Sequence, residues 1–224
     1  SFGCLLFLRN LTKKKVSQTV DAPFNVKKDF LEGISVLKLH PWLWITILVF
    51  AFINICYGGT VAVLIPWLLN VHYHFEPIVY GLAMTFSGGG AVIAAVIFGS
   101  KKEWHHRGWI AYGGMLLSAL ALLVLPFLSW APALVMVMAF DGFGIMVFGL
   151  IWETSLQELV PEEAFGRVAS LDMLGSFALM PLGYMATGWL AEAIGGVHTI
   201  IILAVTMLLT VVITLSVPSI RRFD

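Results

Sequence analysis

The chain has 224 residues, of which 59% are hydrophobic and only 12% charged. A soluble domain carries about 25% charged residues, so this composition excludes a protein that covers its own surface in water. Thirteen basic residues balance thirteen acidic ones, which excludes the basic excess of a nucleic-acid binder, and Cys4 and Cys56 are too few for a disulfide framework or a zinc site.

At the start of the chain, Phe2 to Leu8 is a short apolar run that ends at Arg9 and then Lys13-Lys14-Lys15. It reads as the tail of a preceding membrane helix. A polar stretch follows to His40, with a turn signal at Asp21-Ala22-Pro23. Beyond it, Phe30, Leu31, Ile34 and Leu37 share one helical face, and Lys27, Lys28, Asp29, Glu32 and Lys38 take the other. Residues 1–40 are therefore expected to be the end of one membrane helix and a cytoplasmic loop bearing a short amphipathic helix. Residues 41–224 form the membrane domain.

No charged residue occurs between Lys38 and Glu76, room for one crossing of about 20 residues. The first span is predicted at 43–68, with a turn at Val71-His72-Tyr73-His74. Further spans fit Ile78 to Phe98, Trp109 to Phe127, Ala133 to Trp152, Val168 to Leu190 and Val197 to Val217, the fifth loosened by Pro181. Between the fourth and fifth lies a polar loop with Pro161, Gly166 and Arg167. The fold class is all-α and integral to a membrane.

Six spans put both ends of the chain on one side. Arg9, Lys13, Lys14, Lys15, Lys27, Lys28 and Lys38 precede the first span, Lys101, Lys102 and Arg107 fall between the second and third, Arg167 between the fourth and fifth, and Arg221 and Arg222 after the sixth. All thirteen basic residues share that side, and basic loops stay in the cytoplasm. Trp42, Trp44, Trp104, Trp109 and Trp152 fall near inner ends, and Trp67, Trp130 and Trp189 near outer ends, the depth at which amphipathic rings settle.

Asp141 is the sharpest single residue. It lies about ten residues from either end of the fourth span, roughly 15 Å deep at 1.5 Å per residue. A carboxylate there costs about 2.5–3.5 kcal/mol, so it must face a cavity or a partner, and it is the candidate proton carrier. No Lys or Arg lies inside any span, which leaves water, Asn54 or a residue outside this chain as its partner. Asn54 sits at comparable depth in the first span. Val49-Phe50-Ala51-Phe52 and Val137-Met138-Ala139-Phe140 share three of four identities just before these two polar residues, as expected if spans one to three and four to six are inverted repeats.

Arg167, Asp172 and Glu153 gather at inner ends and are candidates for an inner-gate ion-pair cluster. His72 with His74 and His105 with His106 fall short of a metal ligand set, and no metal or cofactor is expected. No nucleophile, phosphate-cradling loop or pair of catalytic carboxylates presents itself, so an enzyme is not expected.

The run Trp-Glu-Thr-Ser-Leu-Gln-Glu-Leu-Val-Pro-Glu-Glu-Ala-Phe-Gly-Arg-Val from Trp152, followed by Ser170-Leu171-Asp172, resembles the loop between helices ten and eleven of the major facilitator superfamily. It is most similar to the drug:proton antiporter-3 group, which includes macrolide efflux proteins and the enterobactin exporter. Phe30-Leu31-Glu32-Gly33 to His40-Pro41-Trp42-Leu43 resembles that group's entry into helix seven. The family's Gly-x-x-x-Asp-Arg-x-Gly loop is degenerate here, reading Gly-Ser-Lys-Lys-Glu-Trp-His-His-Arg-Gly from Gly99.

The resemblance implies the carboxy-terminal six helices of a twelve-helix transporter, with an amino-terminal six-helix half as partner. It also implies a place in the cytoplasmic membrane and alternating access driven by protons. It puts Asn54 and Asp141 on a central cavity, with Phe52, Tyr57 and Phe140 as walls that a small amphipathic substrate would touch. Export of such molecules is the function expected. An uptake carrier of the same fold and a non-transporting membrane scaffold or sensor are the alternatives.

Overall fold

The computed structural model describes residues 41–100 and 105–221. The expected amphipathic helix, the run Phe2 to Leu8 and Lys101-Lys102 lie outside them. All regular structure among the described residues is helical. Helix α1 (Pro41–Gly59) continues through Thr60–Leu64, Ile65–Trp67 and Leu68–His72. It is followed by α2 (Pro77–Gly99), α3 (Arg107–Val124) with a tight turn at Leu125–Phe127, and α4 (Ala131–Leu159). After these come α5 (Glu162–Phe177), α6 (Met180–Ile194), α7 (Gly196–Ser216) and the short α8 (Pro218–Arg221).

Among the described residues six segments are long and apolar enough to cross a bilayer: Pro41–His72, Pro77–Gly99, Arg107–Phe127, Ala131–Leu159, Ala164–Ile194 and Gly196–Ser216. The predicted spans coincide with them in number and order. The first runs past its expected end at 68, because π-helical turns over Thr60–Leu64 and Leu68–His72 carry the helix on. Within the first of these, Ile65 donates back to Thr60, five residues away. The wider register relieves the clash that the Pro66 ring would cause with the carbonyl four residues before it.

The polar loop predicted after the fourth span shrinks to Val160-Pro161. α4 continues through Glu153, Gln157 and Glu158 to Leu159, and α5 opens at Glu162 with Pro161 as its cap. These polar residues are good helix formers, and side-chain bonds described below hold this end of α4. The fifth span breaks at Ala178-Leu179. Pro181, at the start of α6, has no N–H to give to the Phe177 carbonyl, the loosening expected of it.

Helix α1 packs along α5, α6 and α7; α4 packs along α2 and α3; and α3 packs on α7. Exchanging the first span with the fourth, the second with the fifth and the third with the sixth maps these neighbours onto one another, as inverted three-helix repeats require. The close contacts are made where side chains vanish. A Cβ on Gly142 would collide with the Ser87 carbonyl, and one on Gly90 with the Ala139 carbonyl, so α2 and α4 touch backbone to backbone. By contrast α1 and α4 meet through long side chains: Trp42 with Trp152, Phe50 with Phe148, and Tyr57 with Asp141.

Candidate functional site

Asp141 is fully buried near the middle of α4. Its Oδ1 accepts a hydrogen bond from the Ser118 hydroxyl on α3 at 2.6 Å, and its Oδ2 accepts one from the Tyr57 hydroxyl on α1 at 3.2 Å. Three helices thus converge on one carboxyl group. The flanking glycines make this possible: Gly142 lets α2 close against one side of α4, while Gly144 lies against the backbone of Gly114 and Ser118 on α3, which brings the serine into reach.

The partners differ from those expected. Asn54 is half-buried on α1, and the bond to Asp141 comes instead from Tyr57, three residues further along the same helix. Ser118 escaped the sequence reading altogether. Its signal was a lone serine in a largely apolar span, four residues after Gly114, but only the crossing of α3 and α4 shows which acidic group it serves.

Asp141 has no exposed surface of its own, and its Oδ2 is covered by the half-buried Tyr57. Phe52, Tyr57 and Phe140 do not form one wall. Phe140 precedes Asp141 by one residue and so projects about 100° away from it. It is 52% exposed and lines an apolar groove of about 440 Å³ with Ile93 of α2 and Leu117 of α3. Phe52 is exposed too, two residues and so about 200° from Asn54 on the helix. Of the three aromatics, Tyr57 is the one at the carboxylate.

Toward the start of α1 and the end of α4 an aromatic stack fills the seam between these two helices. Phe148 lies between Phe50 and Trp152, stacked with centroids at 3.6 and 6.2 Å, and Trp42 meets Trp152 edge-on at 6.1 Å. Tyr112 of α3 abuts both phenylalanines and donates to the Thr46 hydroxyl, which in turn donates to the Trp42 carbonyl.

Of the inner-gate candidates, Asp172 and Glu153 come together. Asp172 accepts a hydrogen bond from the Trp152 indole at 3.2 Å, and the exposed Glu153 stands near it as a like charge. Arg167 is half-buried on α5, five residues and so about 140° around the helix from Asp172. An ion pair that the sequence did not suggest joins Arg107, at the start of α3, to Glu158 near the end of α4, with Ser155 beside it as a further acceptor. The sequence shows Arg107 only as an orienting charge, because its partner lies 51 residues away.

A sequence model of the Major Facilitator Superfamily matches residues 1–178 and 47–222. The chain belongs to the Major Facilitator Superfamily. This is a family of membrane transporters, not of enzymes, and its halves are built from the inverted three-helix repeats seen in the packing above. The chain is similar to the multidrug efflux pump Tap of Mycolicibacterium fortuitum, 26% identical over 149 residues, a match that covers 66% of this chain and 36% of that protein. It is also similar to Tap of Mycobacterium tuberculosis (strain ATCC 25618 / H37Rv), 24% identical over 151 residues, covering 67% of this chain and 36% of that protein. The matches thus span about a third of the length of these relatives.

Proposed function

We propose that this chain is the carboxy-terminal half of a proton-coupled exporter of amphipathic small molecules that works by alternating access. The observation that carries the reading is Asp141, fully buried at mid-membrane and held by hydroxyls from two other helices. A carboxyl group in such a place costs stability, so its presence points to a function, and hydroxyl partners accommodate it both with and without its proton. Membership of the Major Facilitator Superfamily and similarity to proteins named as multidrug efflux pumps support export. In this reading Asp141 takes a proton from outside and releases it inside, and its charge state biases the conformational equilibrium. Asn54 and Tyr57 line the substrate path, while Arg167, Asp172 and Glu153 belong to the inner gate.

The other half is a partner in this proposal. Gly81, Thr85, Gly88 and Gly89 recur at helical spacing on the exposed face of α2, the small-residue pattern by which membrane helices approach closely. Such a face suits another helix better than lipid. The same reading places the protein in the cytoplasmic membrane with both ends of this chain in the cytoplasm, supported by the one-sided distribution of all thirteen basic residues.

The test is flux of a lipophilic dye driven by a pH gradient, in vesicles containing the chain with its flanking sequence from the gene. Wild-type protein is expected to move dye only with the gradient, and Asp141→Asn to insert normally without coupled flux. Full gradient-driven flux in Asp141→Asn removes Asp141 from the mechanism. Absence of dye flux in correctly inserted wild type removes the export reading.

A further inference from the structure

We propose that the Tyr57 hydroxyl is the proton relay of Asp141, the route by which that carboxyl group exchanges protons with water; this rests on the reading of Asp141 as the proton carrier. Both oxygens of Asp141 are occupied, and the two occupants differ in what lies behind them. Ser118 is fully buried, so a proton passed to it goes no further, whereas part of the Tyr57 side chain reaches the surface of the bundle. The bonds differ as well. Ser118 holds Oδ1 at 2.6 Å and Tyr57 holds Oδ2 at 3.2 Å, beyond the usual range for a hydroxyl donor. The tie to Tyr57 is the weaker, so it is the hydroxyl free to turn away and back.

In the loading step the Tyr57 O–H proton moves along the hydrogen bond to Asp141 Oδ2, and a hydronium ion on the open side gives its proton to the phenol oxygen. One O–H bond forms on the carboxylate, the phenol O–H is broken and remade, and water is released. Tyrosine is neutral before and after, and the aspartate passes from anion to acid. Release is the reverse. No other charged side chain competes at this depth among the described residues of the helices that meet here: Arg107 on α3 and Glu153 and Glu158 on α4 all sit at the inner ends, about 16 Å or more along their helices from Ser118 or Asp141.

The experiment follows hydrogen–deuterium exchange of the Asp141 carboxyl by infrared spectroscopy. It uses the chain with its flanking sequence in lipid, the band being assigned by its loss in Asp141→Asn. Tyr57→Phe keeps the ring and removes the relay, and is expected to slow exchange roughly tenfold or more, while Ser118→Ala, which removes the other hydrogen bond but leaves the route to water, changes it several-fold less. Tyr57→Ala opens the position to water and is expected to restore fast exchange. Exchange at wild-type speed in Tyr57→Phe, equal slowing in Ser118→Ala, or slow exchange in Tyr57→Ala each overturns the relay while leaving the carrier reading intact. If Asp141→Asn removes no carboxyl band at any pH, the group never holds a proton, and the carrier reading falls with the relay.

Discussion

Phe50 on α1 and Phe148 on α4 stack with centroids 3.6 Å apart and planes 11° from parallel, midway along a seam whose ends are Trp42 with Trp152 and Tyr57 with Asp141. The helices on either side of this seam are joined differently. α4 is locked to α2 and α3 by backbone contacts at Gly90, Gly142 and Gly144, and α1 to α6 by the Ile55 backbone at Gly183 and the Thr187 side chain at Gly59. The seam is therefore held by side chains rather than by backbone contact, and side chains change rotamer far more readily than backbones move apart. It also holds the carboxyl group to which we assign the proton.

The stack itself is open to test. Phe148→Leu keeps an apolar residue and removes the ring that Phe50, Tyr112 and Trp152 all contact. A single aromatic pair contributes about 0.5–1.5 kcal/mol, and at least one is lost, so the thermal midpoint of the detergent-solubilised protein is expected to fall while its helix content by circular dichroism stays unchanged.

At Asp141 two substitutions separate structure from chemistry. Asn retains an acceptor for one hydroxyl and a donor toward the other, so Asp141→Asn is expected to stay within about 1 kcal/mol of wild-type stability. Leu offers neither and leaves the buried Ser118 and the half-buried Tyr57 hydroxyls without their acceptor. It is expected to cost about 1–3 kcal/mol. Denaturation in mixed micelles reads both, and equal stability of the two variants would mean that the hydrogen bonds contribute nothing net.

Gly142→Ala and Gly89→Ala differ by one methyl group in different surroundings. The first drives a carbon into the Ser87 carbonyl, whereas nothing lies within 4 Å of the second in this chain. Overpacking costs about 1–3 kcal/mol, so Gly142→Ala is expected to separate α2 from α4 and lower stability. Gly89→Ala is expected to leave the stability of this half unchanged. Cysteine crosslinking between α2 and α4 reports the separation directly.

The Arg107–Glu158 pair joins a buried guanidinium to a carboxylate whose side chain is 47% exposed. An exposed partner limits its worth to about 1 kcal/mol, so Glu158→Gln is expected to be mild and its effect to shrink at high salt. Arg107→Ala also removes the bond to Ser155 and the buried stem, and is expected to cost more at any salt concentration. Unfolding midpoints measured at low and high ionic strength distinguish the two contributions.

Much of the architecture was legible in the residues. The count and order of the spans follow from long runs without charge, since a backbone in hydrocarbon must satisfy its own hydrogen bonds and a helix does so locally. Their ends were less legible. Glu153 to Glu158 read as loop because they are polar, yet they form the last turns of α4, where Arg107 and the Trp152–Asp172 bond hold them. The candidate site divided in the same way. Asp141 stood out because an acid in an apolar span is costly wherever it points, but nothing local could name its partners.

The sequence by itself determined a six-span α-helical membrane protein, the side that carries its basic residues and the depth of its one mid-span acid, because these depend on properties summed along the chain: hydropathy, charge and distance from a span's end. Only the tertiary structure decided that Tyr57 and Ser118, rather than Asn54, hold Asp141, that Phe52 and Phe140 face elsewhere, and that Arg107 pairs with Glu158. Those choices depend on which helices cross and at what rotation, and that is set by glycines at Gly90, Gly142 and Gly144 whose effect is felt only when another backbone arrives against them.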